Sequence, residues 1–66
     1  MDADEVRKRL IEHIAQEEIL LATVAKDIGI AYNTMLWFLK DVKDTSFRTL
    51  VRVNKYLNDF EITKHR

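Results

Sequence analysis

The chain lacks cysteine and proline, has a single glycine, and carries no net charge. Each absence excludes something. Without cysteine there is no disulfide, no thiolate zinc site and no thiol nucleophile. Without proline, and with glycine only at position 29, the sequence has few breakers, which points to helices joined by short turns. No apolar run approaches the ~20 residues of a membrane span. The acidic start has no signal-peptide pattern, so the cytoplasm is the expected compartment. At 66 residues a single domain, 1–66, is expected. Folding at that size buries only about 60% of the unfolded surface, so the core is small. A core so small leaves little room for a pocket with nucleophile, base and stabilising groups, and the reading expects no enzyme.

What is present is 47% hydrophobic and 33% charged residues, a globular composition. Eleven Lys+Arg balance eleven Asp+Glu, which gives no overall attraction to a polyanion. The balance is uneven along the chain. Residues 1–27 hold four cations against seven anions, a net of −3, and residues 28–66 hold seven against four, a net of +3. A polyanion-binding surface is therefore expected in the second half.

Apolar spacing places four helices. Val6, Leu10, Ile11 and Ile14 mark an inner face over residues 3 to about 17, with Asp2, Asp4 and Glu5 at the positive end of the helix dipole. Val24, Ala25 and Ile28 mark a helix over about 21–28, which Gly29 stops. Ala31, Met35, Phe38 and Leu39 mark a third over about 31–40. Residues 40–45 read as a polar loop, after which Thr45 or Ser46 caps a fourth helix to about Leu57, with Phe47, Leu50, Val51 and Leu57 inward. The tail changes period: Phe60 and Ile62 alternate with Glu61 and Thr63, which suits a short strand. A strand needs a partner, so Phe60 and Ile62 are expected either to pair two copies of the chain or to seal one monomer.

The stretch Thr23–Leu39 is the most informative. A small residue at Ala25 lets two helices cross closely, Gly29 makes a tight turn, and Val24, Ile28, Ile30, Met35 and Phe38 fill the space between them. These seven positions, with the capped segment Ser46-Phe47-x-x-Leu50-x-x-Val53 after them, resemble the helix-turn-helix of the phage lambda-repressor-like (Cro-type) DNA-binding family. The resemblance covers about residues 10–57. It implies an all-α, small four-helix helix-turn-helix domain, the motif at about 21–40, whose second helix, 31–40, enters the major groove of double-stranded DNA. It further implies a transcriptional regulator that binds an inverted repeat as a homodimer.

Carried onto this chain, the family's base-reading positions are Tyr32, Asn33 and Trp37. An Asn amide pairs bidentately with adenine, and a Tyr ring lies against a thymine methyl. Thr34 and Lys40 are expected at phosphates, as are Lys43, Ser46 and Arg48 around the next helix start. Ala31, Leu20 and Leu21 depart from the family, which has capping or phosphate-contacting polar residues there. Leu36 and Trp37 make the reading face unusually apolar. A second reading is therefore a protein-interaction module, of the antirepressor, antitoxin or polymerase-binding kind, that docks through Tyr32, Leu36 and Trp37. The segment Tyr56-Leu57-x-x-Phe60-Glu61-Ile62 also resembles the end of short antitoxin-type repressors. Arg48, Arg52 and Lys55 form a basic stripe for which a solvated helix face is the simpler account. His13 and His65 stand far apart without a ligand set around them, so no metal or other cofactor is expected.

Overall fold

A computed structural model describes residues 2–40 and 46–64, and all statements of contact concern those residues. Four helices follow one another: α1 (Ala3–Glu17), α2 (Leu21–Ile28), α3 (Tyr32–Lys40) and α4 (Phe47–Lys64). The domain is all-α, as the apolar spacing leads one to expect. No strand occurs among the described residues.

The helix ends are set by local chemistry. The Asp2 carboxylate accepts the Asp4 N–H at 3.0 Å and opens α1. Glu18 closes it with φ 53°, and the Ile19 N–H reaches back to the Ile14 carbonyl at 3.3 Å. A left-handed glutamate costs about 1 kcal/mol more than a glycine would. Gly29, φ 85°, ends α2; its N–H and that of Ile30 both donate to the Ala25 carbonyl, at 2.9 and 3.0 Å. α3 starts one residue later than expected, at Tyr32, and Ala31 is exposed rather than part of the inner face. Ser46 caps α4, accepting the Thr49 N–H at 3.2 Å.

One core serves all four helices. α1 packs along α4, α2 packs on α3, and the second pair meets the first through α1 with α3 and α2 with α4. Leu10, Val24, Met35, Phe38 and Val53 are fully buried, with Val6, Ala25, Leu50 and Leu57 around them. Each large side chain so buried stabilises by roughly 1.5–3 kcal/mol. Ala25, 2% exposed, is the small residue that lets α2 and α3 cross closely.

The structure corrects several expectations. α4 does not end near Leu57 but continues to Lys64, so the expected C-terminal strand is helix. On a helix, Tyr56 and Phe60 share one face, and both put their rings edge-on to His13, at centroid distances of 5.3 and 4.5 Å. Phe60 therefore packs within the monomer, half-buried, while Ile62 is exposed. His13 itself is buried and shares a 2.9 Å hydrogen bond with the Tyr56 hydroxyl. It takes a core position that the spacing assigned to Ile11, which is 51% exposed. Phe47 and Val51, expected inward, lie on the outer face of α4.

Candidate nucleic-acid interface

The α2–Gly29–α3 unit sets the candidate site. Met35 and Phe38 bind α3 to the core, which turns the opposite face outward. That face carries Asn33, Leu36, Trp37 and Lys40, related by i, i+3, i+4 and i+7, with Tyr32 at its edge. Asn33 and Lys40 are exposed, Tyr32 is 47% and Trp37 39% exposed, and Leu36 is half-buried. The structure thus brings Tyr32, Asn33, Trp37 and Lys40 onto one outward surface. Thr34 lies half-buried on the flank toward the core.

Two of the flanking residues are placed at the start of α4. The Ser46 hydroxyl faces Thr49, accepting its N–H at 3.2 Å and sharing a 3.1 Å hydrogen bond with its hydroxyl, so its primary work is the cap. Arg48, two residues on, is exposed. Lys43 lies outside the described residues. Of the rest of the basic stripe, Arg52 donates to the Gly29 carbonyl at 3.4 Å and Lys55 pairs with Asp59 at 3.1 Å.

The electrostatics of the face are simple. α3 has one cation, Lys40, and no carboxylate. At the other end of the motif, Leu20 opens α2 without a side-chain cap. Leu20 is 72% exposed and, with Leu21, Ala22 and Tyr32, lines a shallow apolar groove beside the start of α3.

A residue that the sequence did not single out fixes the far end of α3. Arg7 Nε donates to the Phe38 carbonyl at 2.6 Å, its guanidinium lies 5.1 Å from the Phe38 ring centroid, and Nη1 pairs with Asp4. The Phe38 carbonyl is one of the last four of α3, which have no partner within the helix, and a cation suits the negative end of the dipole. No sequence signal marks it, because Arg7 and Phe38 stand 31 residues apart. Arg9 does similar work between α1 and α4, donating to the side-chain carbonyls of Asn54 and Asn58 at 3.0 and 2.9 Å.

Among the described residues no helix is long and apolar enough to cross a membrane. No family model, no curated protein and no solved structure matches the chain.

Proposed function

We propose that this chain is a sequence-specific, double-stranded-DNA-binding transcriptional regulator, a repressor by occlusion, acting in the cytoplasm of a bacterial or phage-infected cell. The observation that carries the reading is the tight α2–Gly29–α3 unit with Asn33, Trp37 and Lys40 on its outward face. The resemblance to the lambda-repressor-like family supplies its orientation: α3 lies in the major groove. Asn33 reads adenine, while Tyr32, Leu36 and Trp37 pack on thymine methyls. Lys40 is the one cation on α3, so the face has little with which to read guanine, and the preferred half-site is A·T-rich. The resemblance assigns phosphate contacts to Thr34, Lys43, Ser46 and Arg48; of these Arg48 is exposed, Thr34 is half-buried and Ser46 is engaged in the α4 cap. A 66-residue monomer has few contacts, so a homodimer on an inverted repeat supplies specificity against genomic competitors. Lys40 and Arg48, both exposed, with Lys43 as the resemblance assigns it, would make three phosphate contacts and a shallow salt dependence, a slope of about −3 per monomer in log K against log salt.

Selection of bound sites from a random duplex pool tests this reading. The expected product is an A·T-rich inverted repeat, and uracil in place of its thymines lowers affinity several-fold. Absence of binding to any duplex at about 50 mM salt would refute DNA recognition, because backbone affinity survives there. The second reading, a protein-interaction module, is favoured by one observation: Leu20, Tyr32, Leu36 and Trp37 leave apolar surface beside and on α3. The same measurement of duplex binding at about 50 mM salt separates the two.

A further inference from the structure

The outward face of α3 divides unevenly by chemistry. Tyr32 is 47% and Trp37 39% exposed, with half-buried Leu36 on the same face. Leu20, Leu21 and Ala22 carry the apolar surface on beyond Tyr32, along the groove at the start of α2. Against this stand one amide, Asn33, and one cation, Lys40, at the last residue of the helix. α3 has no carboxylate. In the major groove an amide suits adenine, a cation suits guanine, and a carboxylate accepts the N4 amino group of cytosine. The face therefore offers apolar surface to a C5-methyl group and no carboxylate to a cytosine.

We propose that this face also recognises 5-methylcytosine, so that C5-methylation of cytosines in the half-site raises the affinity of the chain for duplex DNA. The proposal rests on the reading that α3 lies in the major groove, and it extends that reading to a modified base and to regulation by it. The methyl group of 5-methylcytosine stands in the groove where thymine carries its own. Leu36 has no polar side-chain atom, and the Tyr32 hydroxyl donates or accepts alike. Neither side chain separates the O4 of thymine from the N4 amino group of 5-methylcytosine by a fixed hydrogen bond, so their discrimination falls on the methyl group. An unmethylated cytosine brings a polar edge against apolar side chains and gives them nothing to cover, which is unfavourable. Methylation adds one apolar group to be buried, worth about fourfold in affinity. The gain requires no further cation, so it leaves the salt dependence unchanged. Methylating the operator thus raises its occupancy without any change in the protein.

Fluorescence anisotropy with the full chain and the selected operator tests this. Each T·A pair of a half-site is replaced in turn by C·G, with the cytosine either plain or C5-methylated. At one pair or more, the methylated duplex is expected to bind about threefold or more tightly than the plain one, with the same slope in log K against log salt. The same methyl group placed outside the half-sites changes nothing. The double variant Tyr32→Ser/Leu36→Ser, its helical content checked by circular dichroism, loses the preference for the methylated duplex. An operator that binds the wild-type chain equally well with and without the methyl group at every pair overturns the proposal and leaves the DNA-binding reading standing. A folded double variant that keeps the full preference overturns it in the same way. A chain that binds no duplex at about 50 mM salt overturns both.

Discussion

Replacing Arg7 with methionine tests whether α3 is held in place from α1. Methionine keeps an unbranched apolar stem of similar reach and removes every donor. Three contributions among the described residues go with the guanidinium. A charged donor to the Phe38 carbonyl at 2.6 Å is worth roughly 1.5–3 kcal/mol, including the cost of leaving the acceptor poorly solvated. The cation over the Phe38 ring at 5.1 Å adds roughly 0.5–1 kcal/mol. The pair with Asp4 adds less than about 1 kcal/mol, because Asp4 is 85% exposed and water screens it. The three share one side chain and do not sum, so a net loss of about 2 kcal/mol is expected. For a chain of this length that lowers Tm by about 14 °C. It removes a large part of the ~3–5 kcal/mol that one small core supplies. Arg7→Lys retains the charge without the planar fork and should restore no more than half of the loss. Urea and thermal melts followed by circular dichroism give both values. A loss below about 0.5 kcal/mol for Arg7→Met, or full recovery by lysine, would refute the argument that the Nε–carbonyl bond anchors α3.

Other outcomes are equally specific. Burial, then the charges of Asp27 and Glu17, push the Tyr56 phenol above its ordinary value of 10.0. The folded state thus favours the neutral phenol, whose stabilisation is complete below pH 10.0 and is lost as pH rises through the higher folded value. Tyr56→Phe should cost about 1 kcal/mol below that point through the lost bond to His13, and its gap from wild type should narrow above it in urea melts; a gap that widens contradicts the reasoning. Gly29→Ala meets no heavy atom within 4 Å, so its cost is backbone strain alone, roughly 1–2 kcal/mol by urea denaturation. Asn33→Ala leaves the exposed fold intact and lowers operator affinity by roughly 1–3 kcal/mol, with preference relaxed at one base pair in fluorescence anisotropy. Equal weakening on every sequence would instead make Asn33 a backbone contact.

The legible parts of the fold are those with a local cause. α1 and α2 occupy the segments that spacing and end chemistry mark, and Gly29 stops α2 because few other residues take a positive φ cheaply. The end of α1 carries no such mark, since Glu18 takes the left-handed turn without being glycine. The tail misleads because four alternating residues are a short signal. The helical neighbours Tyr56–Phe60 and Lys55–Asp59, four apart, outweigh it once His13 offers its ring as a partner. The outward set on α3 was legible from periodicity, whereas the part played by Arg7 was not.

The sequence by itself therefore determined the all-helical class, the place of the tight turn and the apolar character of the α3 face. Period, glycine placement and composition act within a few residues of one another. Only the tertiary structure decided that His13 rather than Ile11 faces the core and that Phe60 packs inward while Phe47 and Ile62 point out. It also decided that Arg7 closes α3. Burial and hydrogen bonding belong to neighbours brought together by folding, and an apolar residue near the edge of a helical stripe acquires its side of the helix from what packs against it.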